Sequence, residues 1–170
     1  MKFRDLLSIG YDKRTGVINV NQIYNHLPKT PLEVIEVYSH HGRKSDFQKQ
    51  YEDLELTSIT WNLTTFPAKE IIEATFYPYF MSYFRSVEAR PLKFSKRGWQ
   101  CIDIRKDVIA HWSTHQTWLS PPVFIQGLPP AVGGKLHLME GHTRVALLRG
   151  LVNYGILSNL SHHKILLGHI

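Results

Sequence analysis

The chain has 170 residues, 43% hydrophobic and 20% charged, which suits one soluble domain, or a core with an appendage, that buries roughly two-thirds of its unfolded surface. No apolar run approaches the roughly 18 residues of a membrane span, Met1-Lys2-Phe3-Arg4-Asp5 lacks a signal-peptide core, and a single cysteine, Cys101, excludes a disulfide framework. A cytoplasmic protein with no membrane partner is therefore expected, and the formal charge of +6 favours acidic partners: nucleotides, nucleic acid or an acidic protein.

The charges are dispersed. The clusters are no longer than pairs, such as Lys13-Arg14, Arg43-Lys44, Lys96-Arg97 and Arg105-Lys106, and read first as solvated surface. Residues 9–20 are expected to form a hairpin turning through Asp12-Lys13-Arg14-Thr15-Gly16, and residues 21–27 a short helix. Thr30-Pro31-Leu32-Glu33 is a helix start, with Thr30 as N-cap and Leu32, Ile35 and Tyr38 inward, and Gly42 is its stop. Ser45-Asp46 opens a further helix with Phe47, Tyr51 and Leu54 inward. These elements make residues 1–55 a mostly helical N-terminal extension, followed by an α/β domain over 56–170.

In that domain, Ile59-Thr60-Trp61-Asn62-Leu63 alternates as a strand. Thr65-Phe66-Pro67 opens a helix through Ile71, Ile72 and Thr75, and Pro78 breaks it. An aromatic helix follows from Tyr79 to about Glu88, whose stripe serves as core or as a platform for a base or peptide. Trp99-Gln100-Cys101-Ile102 reads as a strand, and Asp103 or Ile104 to His115 as a helix with Ile104, Val108 and Trp112 inward. A strand at Val123-Phe124-Ile125-Gln126, a loop over 127–134 and a strand over 136–140 come next. Gly141 then turns the backbone into a helix carrying Val145, Leu148 and Val152 on one stripe and Leu147, Leu151 and Tyr154 beside it. Gly155 caps that helix, and Lys164-Ile165-Leu166-Leu167 is a last strand.

The chemistry concentrates at Glu140-Gly141-His142-Thr143-Arg144. The first N–H groups of a helix lack internal partners and attract anions. Arg144 is a cation in the first turn, where the helix dipole disfavours it, which points to an anion shared by Arg144 and the helix start. A planar guanidinium suits phosphate, Thr143 adds a hydroxyl and His142 a pH-dependent donor. Glu140 is a candidate base or holder of a phosphate-bound metal, or else a carboxylate paired with Arg144. Asp107, His111 and His115 share one helix face, but no third metal ligand of known spacing accompanies the two histidines. The pairs His40-His41 and His162-His163 are read as surface.

Glu140-Gly141-His142-Thr143-Arg144, after an apolar strand and before an apolar helix, resembles the Asp/Glu-Gly-x-x-Arg box of the ParB/sulfiredoxin superfamily. Pro121-Pro122-Val123-Phe124-Ile125-Gln126 and Lys164-Ile165-Leu166-Leu167 are similar to strands flanking that box, and the likeness runs over residues 100–168, more weakly from 56. The resemblance implies a small mixed sheet with flanking helices, and binding of nucleotide or nucleic-acid phosphate by Gly141, His142, Thr143 and Arg144. It further implies a nucleoside triphosphate with magnesium as cofactor. Sulfiredoxins carry a cysteine directly after the glycine where this chain has His142, so their thiol chemistry is not expected. Partitioning ParB proteins have Glu-Arg-Arg there and a downstream helix-turn-helix, for which the sequence after the box leaves no room. A second function class stays open: a non-enzymatic immunity protein or antitoxin that neutralises a toxin by direct binding, with the Arg43-Lys44 turn steering an acidic protein.

Overall fold

A computed structural model describes residues 1–128 and 136–170. The chain divides into two compact units, one of Met1–Trp61 with Gly168–Ile170 and one of Asn62–Leu167. The fold is α+β, and among the described residues no helix is long and apolar enough to cross a membrane.

In the first unit a 3-10 helix, Phe3–Ser8, leads to three helices: α1 Val20–His26, α2 Leu32–His41 and α3 Ser45–Tyr51. The N-terminus is stitched to residues 54–56. Phe3 N–H donates to the Leu54 carbonyl at 2.8 Å, and the Met1 ammonium pairs with Glu55, holding that carboxyl at a pKa of about 2. The expected hairpin contracts to one bridge, Tyr11 to Ile18. Its turn is set by Asp12, whose Oδ1 accepts from the N–H of Arg14 at 2.7 Å and of Thr15 at 3.0 Å. Asn19 caps α1 through Gln22 N–H at 3.2 Å.

Two expectations in α2 need correction. Pro31, not Thr30, takes the N-cap position. Leu32 is 54% exposed, because the buried arc centres on Val34, Ile35 and Tyr38 and, at about 100° per residue, Leu32 falls outside it. Gly42 ends α2, and Phe47, Tyr51 and Leu54 are inward as expected. The core is an aromatic cluster in which Phe3 meets Tyr38 edge-on at 5.8 Å and Tyr51 at 5.7 Å. His41, expected at the surface, stacks on Phe47 at 4.8 Å, and burial lowers its pKa to about 4. Arg43 is no free surface charge either: it donates to the Leu7 carbonyl at 2.7 Å and lies 3.7 Å over the Tyr11 ring.

The second unit carries most of a four-stranded mixed sheet, ordered β1-β4-β2-β3, from β1 Thr60–Pro67, β2 Val123–Gln126, β3 His137–Glu140 and β4 His162–His169. Residues 65–67 extend β1 rather than opening a helix, and α4 is only Ala68–Ile71. Its first N–H groups are taken by the Ser161 and Asn159 carbonyls at 2.7 and 2.9 Å. Thr75 leaves the helix altogether and bridges to β3, accepting from Leu138 N–H at 2.8 Å. The aromatic stripe splits: Phe84 of α5 Met81–Glu88 is buried and stacks on Phe76 at 4.4 Å, while Tyr79 is 76% exposed.

After the short α6, Phe94–Arg97, residues Gly98–Cys101 form a 3-10 turn, not a strand, where Trp99 packs on Phe94 and Trp112. Ile104 is 95% exposed, since α7 starts only at Lys106 and runs to His115; Trp112 is the residue it buries most fully. In the β2–β3 pair, which is antiparallel, Val123 lies opposite Glu140 and Phe124 opposite Leu138, with an irregularity between them. The expected 127–134 loop lies largely outside the described residues. α8 His142–Asn153 closes the core with Val145, Leu148 and Leu151, while Val152 and Tyr154 of the expected stripes are less buried. Gly155, with φ +70°, follows its end. His163, expected at the surface, is 2% exposed on β4, donating to or accepting from Thr117 and Ser161, each at 2.9 Å.

Candidate functional site

The site grows from the junction of β3 and α8. Gly141 sits at φ +101°, a left-handed conformation that disfavours side chains. A Cβ there would fall 2.5 Å from Pro122 Cβ, so glycine is also needed to let the turn lie against the residue that enters β2. The first intrahelical bond is Val145 N–H to the Gly141 carbonyl at 3.0 Å, and no side chain among the described residues caps the helix start. The N–H groups of His142, Thr143 and Arg144 thus precede the helix ladder, as at any helix N-terminus.

Arg144 folds back over this start. Its guanidinium forms an ion pair with Glu140, four residues earlier, and donates to the Ser120 carbonyl at 3.0 Å and the Ser120 hydroxyl at 2.7 Å. The anion that offsets Arg144 in the first turn is therefore Glu140. The Glu140 carboxylate in turn is committed to Arg144, which leaves it poorly placed to act as a base. Thr143 and Tyr83 exchange a hydroxyl hydrogen bond at 2.7 Å. His142, expected to offer a donor, has its ring set against Phe80 at 4.4 Å and edge-on to Phe76 at 5.9 Å.

Two clefts meet here, both lined by Glu140 and Thr143. One, of about 320 Å³, is charged: Asp103, Arg105, Asp107 and Arg144 line it above Trp112 and Trp118. The other, of about 590 Å³, is aromatic, with Tyr79, Phe80 and Tyr83. Arg105 grips Asp103 with two bonds, Nε at 3.1 Å and Nη2 at 2.8 Å, and this pairing holds the Asp103 carboxyl at a pKa of about 2. The guanidinium keeps further N–H groups for another acceptor.

Glu140, Gly141, His142, Thr143 and Arg144 thus lie together. Sequence reasoning missed Ser120, Asp103 and Tyr83, which reach the box from 20 to 60 residues away in sequence. In the sequence Arg105 stands out only as half of a basic pair. The one local signal was the Asp103-x-Arg105 spacing ahead of a helix. Among the described residues no group of three or more His, Cys, Asp or Glu is arranged to hold a metal ion. The His111 and His115 rings lie 4.5 Å apart on α7. Cys101 is buried away from the clefts' lining, and burial raises its thiol pKa. Compared with protein-family models, curated proteins and solved structures, the chain matches none.

Proposed function

We propose that the chain binds a nucleotide-type ligand at the start of α8, its phosphate on the helix N-terminus and its base on the aromatic cleft. The observation that carries this reading is the convergence of an arginine-lined cleft and a tyrosine-lined cleft on one glycine-capped helix start. Phosphate oxygens accept hydrogen bonds, and the first-turn N–H groups, the Thr143 hydroxyl and the spare Arg105 N–H groups donate them. The exposed face of Tyr79 beside Phe80 suits stacking with a base. The likeness of Glu140-Gly141-His142-Thr143-Arg144 to the ParB/sulfiredoxin box supports the same assignment. Arg144 acts in it as the brace of the turn rather than as the phosphate ligand. No catalytic step is assigned, because Glu140 and Asp103 are both held by arginines.

The test is calorimetry and thermal shift with nucleoside mono-, di- and triphosphates, each with and without magnesium. Arg105→Gln is expected to weaken binding by roughly 1.5–3 kcal/mol, the range for a charge-assisted bond, and Tyr79→Ala by about 1–3 kcal/mol. Absence of binding by every nucleotide at millimolar concentration refutes the reading. One observation favours a second reading, a partner-binding protein of the immunity or antitoxin kind: Tyr79, Tyr83 and Met81 are 76%, 45% and 40% exposed within a five-residue stretch. Under it, a protein partner covers that aromatic edge, Tyr79→Ala abolishes the complex, and nucleotides do not compete.

A further inference from the structure

A third cleft, of about 460 Å³, lies within the first unit, between the loop after α1 and residues 56–61. That volume is within the usual range of small-molecule sites. Its apolar floor is Leu27, Leu56 and Ile59, all buried. Lys29 and His26 stand exposed at its margin, and Lys29 has no ion-pair partner among the described residues.

The hydrogen-bonding groups around this floor are lopsided. Thr57 and Ser58 spend their hydroxyl protons on Glu55, at 2.6 and 2.8 Å, so neither donates into the cleft. Trp61 lines the cleft, and its indole Nε1 is shielded from solvent with no hydrogen-bond partner among the described residues. The opposite, benzenoid edge of the ring is seated against Gly168, where a Cβ would fall 2.9 Å from Cη2 and Cζ3. The donors left over are thus the Lys29 ammonium, the His26 imidazole, the Thr30 and Thr60 hydroxyls and the Trp61 indole N–H, above an aliphatic floor, and the one fixed charge among them is that of Lys29. A buried donor without a partner is uncommon enough to need a cause.

We propose that this cleft binds a small amphipathic carboxylate, its chain on Leu27, Leu56 and Ile59 and its carboxylate on Lys29, with the Trp61 indole turning its N–H toward it. The charge sign follows from the donors, and the apolar body from the floor. The site uses residues of the first unit alone, so it is independent of the nucleotide reading.

The experiment is a ¹H–¹⁵N titration of the full chain, with octanoate as probe and octanol as its uncharged counterpart. The Trp61 indole signal, identified by its loss in Trp61→Phe, is expected to shift saturably with octanoate and much less with octanol. If that variant does not fold, through-bond assignment identifies the signal. Lys29→Gln, an exposed change, is expected to weaken octanoate binding about tenfold, the lower end for losing a charge-assisted bond. An unmoved indole signal, equal shifts by octanol, or unchanged affinity in Lys29→Gln each overturns the proposal.

Discussion

Gly150→Ala sets two opposed effects against each other in the middle of α8. Helix propensity alone favours alanine by about 1 kcal/mol, since glycine loses more backbone entropy on folding. The structure argues the other way. A Cβ at Gly150 would run into the backbone carbonyl of Glu88, at the end of α5, and stand 3.1 Å from Pro91 Cγ. Neither neighbour is the tip of a flexible chain. The helices are also tied on both sides of Gly150: Arg149 pairs with the Glu88 carboxylate at 3.2 Å, and Asn153 donates to it at 2.9 Å. Separating α8 from α5 therefore strains two polar contacts as well as the packing of Phe84, Val87, Leu147 and Leu151. Overpacking a core costs about 1–3 kcal/mol, occasionally more, and a clash with backbone belongs at the upper end. After the propensity gain, a net loss of about 2 kcal/mol remains, or roughly 5–10 °C in melting temperature for a unit of this size. Urea unfolding followed by tryptophan fluorescence measures it. An alanine variant as stable as the parent would refute the close approach of α8 to α5.

The Glu140–Arg144 pair should show coupling of about 1–3 kcal/mol in a double-mutant cycle with Glu140→Gln and Arg144→Leu, and additive single losses would show that the pair does not brace the turn. Burial holds His137 and His163 neutral, with pKa values of about 4, below the unfolded value of about 6.5. The unfolded chain therefore binds more protons between those values. Stability should be full above pH 6.5 and fall toward pH 4, by up to about 1 kcal/mol per pH unit for each histidine after screening. Equal urea midpoints at pH 7.5 and pH 5 would contradict this. Cys101, buried and with a raised thiol pKa, should react with a disulfide reagent far more slowly than in urea, and Cys101→Ser should leave ligand binding unchanged.

Where structure depends on near neighbours, the sequence was readable. The β3–Gly141–α8 passage follows from a period-two run, a glycine and an apolar stripe within a score of residues, and α1 and α3 from equally local signals. What was misread depends on contacts made at a distance. Trp99 to Ile102 has strand-forming residues, yet Trp99 is held by Phe94 and Trp112 in a 3-10 turn. Thr75 fits the α4 pattern by spacing, but its backbone is claimed by β3. Ile104 is a local exception: it has helical spacing to Val108, but Asp103 accepts from the N–H groups of Ile104 and Arg105 and delays the helix start to Lys106. In the site, the five box residues could be found by eye, whereas Ser120, Asp103 and Tyr83 lie on other segments, with no periodicity linking them to the box.

Arg144 shows why identifying a residue is not the same as identifying its role. A cation in the first turn of a helix is unfavourable unless an anion offsets it, so its presence there called for one. Glu140, one turn back across the glycine, supplies that anion, and Ser120 takes the remaining fork of the guanidinium. For the proposed nucleotide ligand the consequence is indirect. With its charge met by Glu140, Arg144 adds little net attraction, but it ties the end of β3, the first turn of α8 and the segment entering β2 into one unit. The first-turn N–H groups are then presented without needing to be ordered when a ligand arrives, which reduces the entropy lost on binding. Discrimination among ligands falls to groups less committed within the site, the spare donors of Arg105 and the open face of Tyr79. Substitutions there should change which ligand binds, and substitutions at Arg144 should change whether the site holds its shape.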